Sequence, residues 1–366
     1  MNKLPNGWTE YKLKDLCVIN YGKGLGKSNI VNGNIPVYSS GGIIGFHNTY
    51  NVNSEGVIIG RKGNAGSVFY SDKPFFCIDT AFYIEPNNQY DLKYLFYKLV
   101  SMNLKNHKTR TAIPGLIRND IYKLSISIPP LDEQKLIASA LSKIDAYLEN
   151  TIKLIEEKER FKRGIAKKLL TCKEGENIPE ARFKGFEDEW ETVMLGDILS
   201  YEQPKDYIVK SEEYNNKYKY PVLTAGKTFI LGYTNEEFGI YNKLPVIIFD
   251  DFTTDAQYVD FPFKVKSSAI KILKSKYYNT KLIYELIKNI KFNARTHKRY
   301  YISEYQYLKI KIPKSIKEQE DISGYLSLLD KEIDNLKKQK ELIKEMKRGA
   351  MQKLLSGEVR LVDNYD

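Results

Sequence analysis

Apolar residues recur at alternating four- and three-residue steps in two long stretches of the chain. In the first, Ile137, Leu141, Ile144, Leu148 and Ile155 keep the step, with a gap at Thr151. In the second, Ile322, Leu326, Leu329, Ile333, Leu336 and Ile343 keep it, with Lys340 interrupting. That period, with charged residues on the remaining faces, predicts amphipathic helices that pair along a coiled-coil seam. The stretches 133–171 and 318–356 align without a gap at an offset of 185, and 15 of the 39 positions are identical. At 1.5 Å per residue each predicts a rod of about 58 Å. Pro130 and Pro313 bar helix upstream, and Ser315-x-x-Glu318 reads as a capping box.

The pattern between the rods is different: short alternating or fully apolar runs separated by Gly, Asn and Ser, which predict strands and turns. These runs repeat too. Trp8-x4-Leu13-x-Asp15 matches Trp190-x4-Leu195-x-Asp197, Ile35-Pro36-Val37 matches Tyr220-Pro221-Val222, and Gly41 falls opposite Gly226. Gly56-Val57-Ile58-Ile59 lies opposite Leu244-Pro245-Val246-Ile247-Ile248, and Ala81-Phe82-Tyr83-Ile84 answers Ala269-Ile270-Lys271-Ile272. The runs 92–100 and 280–290 both predict a short helix, and 122–129 and 306–313 a strand leading into each rod. The expected plan is a sheet-dominated α+β domain over 1–130, a long helix over 131–171, a linker over 172–188, a second such domain over 189–314, a second long helix over 315–356 and a tail over 357–366. Duplication of one unit on one chain implies a pseudo-twofold axis with the two rods antiparallel.

Composition narrows the partners. Lys and Arg outnumber Asp and Glu by 57 to 46, a net charge of +11 that suits a polyanion. The 28 Tyr suit amphipathic contacts. Cys17, Cys77 and Cys172 form no C-x-x-C pair and predict reduced thiols and a cytoplasmic protein. No apolar run approaches the roughly 18 residues of a membrane span, and the N-terminus lacks the apolar core of a signal peptide.

Catalytic motifs fail one by one. The run 21–28, YGKGLGKS, has Tyr21 where a phosphate-binding loop needs Gly. There is no Gly-rich turn for S-adenosylmethionine, and Ile128-Pro129-Pro130-Leu131 lacks the polar and aromatic residues of an amino-methyltransferase tetrad. Asp250, Asp251 and Asp255 form an acidic cluster without a plausible nuclease lysine, since the Glu-x-Lys triplets lie on the rods. His47, His107 and His297 have no visible metal or acid–base partners.

What recurs instead are polar, basic, Gly-containing loops at matching places, with tips that differ while strands and rods match. In the first copy they carry Ser39 and Ser40, then Arg61, Lys62 and Asn64, then Lys108, Arg110 and Thr111. In the second they carry Thr224 and Lys227, then Thr253 and Gln257, then Arg295, Thr296, His297, Lys298 and Arg299. Arg and Lys pair with phosphates, and Arg, Asn and Gln read base edges. Tyr300 and Tyr301 are placed to pack on sugars or bases. A shared frame with divergent tips suits two readers of different sequences.

The segments IPPLDEQKLIASAL, KRGIAKKLLT, ARFKGFEDEWE, IKEQEDISGYLSLLD and KRGAMQKLLSGEVR resemble the specificity (S) subunit of type I restriction–modification enzymes, and the resemblance covers the whole chain. It implies two target-recognition domains, each reading one half of a bipartite site in double-stranded DNA. It also implies an antiparallel pair of helices as spacer and docking surface for two adenine-N6 methyltransferase (M) subunits, with restriction/translocase (R) subunits joining. No catalytic residue, metal or cofactor is implied in this chain; S-adenosylmethionine, ATP and Mg2+ belong to the partner subunits. The copies part after the rods, with Cys172-Lys173 against Gly357-Glu358. The residues alone leave three other readings: an enzyme with unrecognised motifs, a coiled-coil adaptor that never meets DNA, and a specificity subunit of a methyltransferase system without restriction.

Overall fold

The computed structural model describes residues 4–109, 115–224, 228–292, 294 and 298–361, with backbone only at Lys27. The chain divides into two compact units, one formed by Met1–Lys153 with Lys338–Asp366 and the other by Leu154–Lys337.

The first unit begins with β1 (Thr9–Lys12), α1 (Leu13–Leu16), β2 (Asn20–Tyr21), β3 (Ile35–Ser39), β4 (Gly42–His47) and β5 (Gly56–Gly60). It continues with β6 (Val68–Ser71), β7 (Phe76–Cys77), β8 (Ala81–Ile84), α2 (Leu92–Ser101), α3 (Arg118–Tyr122), β9 (Ser125–Ile128) and the start of α4 (Leu131–Leu170). The second unit holds β10 (Glu191–Met194), α5 (Leu195–Ile198), β11 (Leu199–Glu202), β12 (Tyr220–Leu223), β13 (Ile230–Thr234) and β14 (Val246–Asp250). It then adds β15 (Ala256–Val259), β16 (Lys264–Val265), β17 (Ile270–Ser275), α6 (Thr280–Asn289), β18 (Lys309–Ile312) and the start of α7 (Ile316–Ser356).

Sheet order repeats between the units. The first has β2-β8-β5-β6, β4-β3-β7 and the pair β1-β9; the second has β11-β17-β14-β15, β13-β12-β16 and the pair β10-β18. Even a bulge recurs, between Val37 and Tyr38 against β4 and between Val222 and Leu223 against β13. The central strands β5 and β14 are buried along their whole length, as a continuous apolar run requires when both faces are covered.

Each core is closed by both long helices. Ile137, Ala138 and Leu141 from the start of α4 and Leu354 and Leu355 from the end of α7 join the first core. Ile322 and Leu326 from the start of α7 and Ala166, Leu169 and Leu170 from the end of α4 join the second. Within each unit the two helix segments run in opposite directions. Asp145 meets Lys347 at 2.5 Å and Glu133 meets Arg360 at 2.6 Å in one; Lys162 meets Asp330 at 2.5 Å and Lys158 meets Glu332 at 2.7 Å in the other. Lys162 and Lys347 are equivalent in the repeat, as are Asp145 and Asp330, so one ion pair is built twice.

The start of each long helix is held by the same residues. Gln134 accepts a hydrogen bond from Asp91 N, the N-cap of α2, and donates to Pro129 O; Gln319 does the same with Asn279 N and Pro313 O. Glu318 departs from the expected capping box. Ser315 Oγ accepts from Glu318 N at 3.4 Å, but the Glu318 carboxylate turns away to a two-pronged pair with Arg182 and to Trp190 Nε1. A buried guanidinium is a stronger partner than a backbone N–H that solvent can satisfy.

Candidate nucleic-acid interface

Chain reversal after β5 produces the first set of loops. Gly60 N donates to Ser67 O and Gly66 N to Gly60 O, closing the turn 60–66. Arg61 O accepts from Leu116 N at 2.8 Å, Lys62 bridges to Gly115, and Thr109 N donates to Gly115 O, so the loop 105–115 is stitched to this turn where described. The turn carrying Ser39 and Ser40 is fastened beside it, Ser40 N donating to Thr80 Oγ1. Two glycines are there because the loops come so close: a Cβ on Gly60 would sit 2.3 Å from Asn64 O and 2.9 Å from Ser40 O, and one on Gly66 2.4 Å from Lys105 N. Gly66 also has a positive φ of 85°, a region that favours glycine.

The second unit repeats the stitch. Asp251 O accepts from Tyr300 N at 2.9 Å, the counterpart of the Arg61–Leu116 bond. Thr224, Thr253, Thr254, Asp255 and Gln257 line one cavity of about 640 Å³ with Phe292 and Tyr305. Three loops scattered in sequence therefore gather in each unit.

Side chains at the gathered loops differ in role. Lys62, Asn64 and Lys108 are exposed and Arg61 half-buried, whereas Ser39 Oγ tightens its own turn and Ser40 is buried. Thr253, Gln257, Lys298 and Arg299 are exposed; Lys298 is paired with Glu304 and Arg299 lies over the Phe252 ring at 5.7 Å. Thr224 Oγ1 donates to Thr228 O. Arg110, Thr111, Lys227, Arg295, Thr296 and His297 lie outside the described residues, as does Gly226.

One expectation is corrected. Tyr300 and Tyr301 are buried, and Tyr301 packs on Phe249 and Tyr201, so neither ring is available to a base or sugar. The acidic cluster is structural. Asp250 accepts from Phe252 N and Thr253 N, while Asp251 accepts from Tyr301 N and pairs with buried Lys271 at 3.6 Å. Burial pulls the Lys271 ammonium below its ordinary range, Asp251 opposing and Arg299 assisting. Among the described residues no group of three or more His, Cys, Asp or Glu is arranged to hold a metal.

The Lys-Arg-Gly triplets resolve into two faces. Lys162 and Lys347 point inward to their ion pairs, while Arg163 and Arg348 are exposed. A Cβ built on Gly164 or Gly349 meets nothing within 4 Å, so close helix approach does not explain either glycine. Beside them the equivalent residues Phe161 and Met346 are 52% and 50% exposed.

The type I restriction modification DNA specificity domain matches residues 5–157 and 187–345. The chain belongs to this family. Among the specificity subunits it resembles, the EcoR124I/EcoR124II subunit of Escherichia coli is 51% identical over 141 residues, which are 37% of this chain and only 34% of that protein. The MjaVIII subunit of Methanocaldococcus jannaschii is 26% identical over 85% of this chain and 80% of that one. The crystal structure of the S subunit from M. genitalium shares the fold with a TM-score of 0.73 at 22% identity, over 96% of this chain and 97% of that one. No helix among the described residues is long and apolar enough to cross a membrane.

Proposed function

We propose that this specificity-family chain is a non-catalytic DNA reader that directs adenine-N6 methyltransferase (M) subunits, and in a complete system restriction (R) subunits, to a bipartite target in duplex DNA. The observation that carries the reading is the twofold gathering of polar loops on one repeated frame. The loops at Arg61, Lys62, Asn64 and Lys108 read one half-site, and those at Thr253, Gln257 and Arg299 the other, with Arg110, Lys227 and Arg295 in the same segments. S-adenosylmethionine, ATP and Mg2+ act on the partner subunits. The outward faces of α4 and α7, with Phe161, Arg163, Met346 and Arg348, dock the M subunits.

The test is binding of duplex DNA by the assembled S–M complex at several salt concentrations. Lys62→Ala and Lys108→Ala should each weaken binding across sequences and lower the salt slope by about one. Unchanged affinity and slope in the double variant would remove these loops from the interface. Binding of S-adenosylmethionine by the isolated chain, without M subunits, would remove the non-catalytic reading.

A further inference from the structure

Two arginines converge on one exposed tyrosine in the first unit. Arg61 Cζ lies 4.9 Å and Arg118 Cζ 4.6 Å from the centre of the Tyr21 ring, and Tyr21 is 46% exposed. Phe82 backs the ring edge-on at 5.1 Å and lies 5.7 Å from Arg61 Cζ; the Tyr122 ring lies 5.9 Å from Arg118 Cζ. Cation–π contact with aromatic faces holds both guanidinium groups in place.

Among the described residues no carboxylate neutralises these charges; the arginines with ion pairs are Arg182 and Arg360. Arg61 Nη1 donates to Asp79 O at 3.1 Å and Arg118 Nη1 to Ile19 O at 3.4 Å, while Arg118 Nε is buried without a hydrogen-bond partner. A guanidinium has five N–H donors, so most of this donor set is uncommitted. Two like charges on one ring repel, and a ligand rich in acceptors relieves that repulsion.

The second unit has a different arrangement at the equivalent places. The offset that relates Leu13 to Leu195 sets Gln203 opposite Tyr21, and the repeated backbone bonds set Asp251 opposite Arg61 and Ile302 opposite Arg118. One copy thus presents two guanidinium groups where the other has an acid and an aliphatic residue.

We propose that Tyr21, Arg61 and Arg118 form the base-reading centre of the first recognition unit and that it reads guanine, while the second unit does not read guanine through these positions. This rests on the DNA-reading function proposed above. A planar guanidinium fixed against a ring is pre-organised for two parallel hydrogen bonds, and guanine offers the matching N7 and O6 pair in the major groove. A phosphate accepts from a flexible cation equally well and would not need the tyrosine.

The assembled S–M complex of the full chain would be used to select duplexes from a pool with randomised half-sites, for wild type, Arg118→Ala, Arg118→Lys and Tyr21→Leu. Wild type is expected to select a two-part motif with at least one G·C pair in the half assigned to the first unit. Arg118→Ala should cut discrimination at that pair by about 5- to 150-fold and leave the other half unchanged. Arg118→Lys keeps the charge but loses the fork, so it should retain affinity for the pool and lose the guanine preference. It therefore tests the idea even if Arg118→Ala does not fold. Selection of no two-part motif by wild type overturns the DNA-reading function itself. A two-part motif that keeps its full guanine preference in all three variants, or that loses affinity uniformly without any change of motif, overturns this inference alone.

Discussion

The Arg182–Glu318 pair closes the second unit, and its removal has a calculable effect. Arg182 Nε and Nη2 donate to the two Glu318 oxygens at 2.7 and 2.8 Å, and the side chains are only 11% and 2% exposed. Trp190 Nε1 donates to the same carboxylate at 3.2 Å. Glu318→Ala leaves a nearly buried guanidinium without its counter-charge and an indole N–H without an acceptor. Breaking such a pair costs about 3–5 kcal/mol, of which the indole bond contributes about 1. Trp8 and Trp190 are the only tryptophans, one in each unit, so urea denaturation in a Trp8→Phe background follows the second unit by Trp190 fluorescence. Arg182→Met together with Glu318→Ala should recover part of the loss, because no uncompensated charge remains. The counterpart, Glu133→Ala, should cost less, since Arg360 is 21% exposed and Trp8 Nε1 makes no bond to Glu133. A loss below about 1 kcal/mol for Glu318→Ala, or no recovery in the double variant, would refute the reasoning.

Further outcomes are expected on the same grounds. Burial pulls Lys98 from 10.5 down to about 8, while its Nζ donates to Leu355 O. The folded state therefore releases this proton first and the unfolded chain binds more protons between those values, so stability rises with pH across that window. Unfolding measured at about pH 7.5 and 9.5 should show wild type gaining about 1–2 kcal/mol on Lys98→Met; a constant difference would contradict it. Gly164→Leu with Gly349→Leu should leave folding intact, given the open space there, and weaken assembly with M subunits; a normal S–M complex by size-exclusion chromatography would move docking elsewhere. Four residues inserted after Asn150 lengthen α4 by about 6 Å, so the unread spacer between half-sites should grow by about one or two base pairs, with both half-sites unchanged. An active insertion variant whose methylated sites keep the original spacer would show that the helix does not set the distance.

Much of the frame was legible because its signals are periodic and occur twice. The heptad steps from Ile137 and Ile322 and the apolar runs at Val57 and Ile247 place α4, α7, β5 and β14, and the 185-residue offset ties their roles together. The matched Glu133 and Glu318 were visible, but their partners Arg360 and Arg182 lie outside the aligned stretch, so no local pattern joins them. Tyr300 and Tyr301 misled because an aromatic beside a basic loop fits both a base contact and a core. Packing of Tyr301 against Phe249 and of Tyr300 against Phe292 decides for the core. Arg118 and Tyr21 come together only through the fold, 97 positions apart, and nothing around either residue in the chain marks the contact. The loops were legible as loops; which of their side chains face outward depends on turns such as that of Ser39, where the hydroxyl donates to Gly42 O.

The most direct measurement is a genome-wide map of methylated adenines in cells that express this chain with its M subunits, set beside a version whose first loops, 39–42, 60–66 and 105–115, come from another specificity subunit. A two-part motif with an unread spacer is expected for the parent. In the exchange one half of that motif should change to the donor's and the other half should stay as it was. A continuous motif in the parent, or an exchange that alters both halves or neither, would contradict two independent readers on one repeated frame.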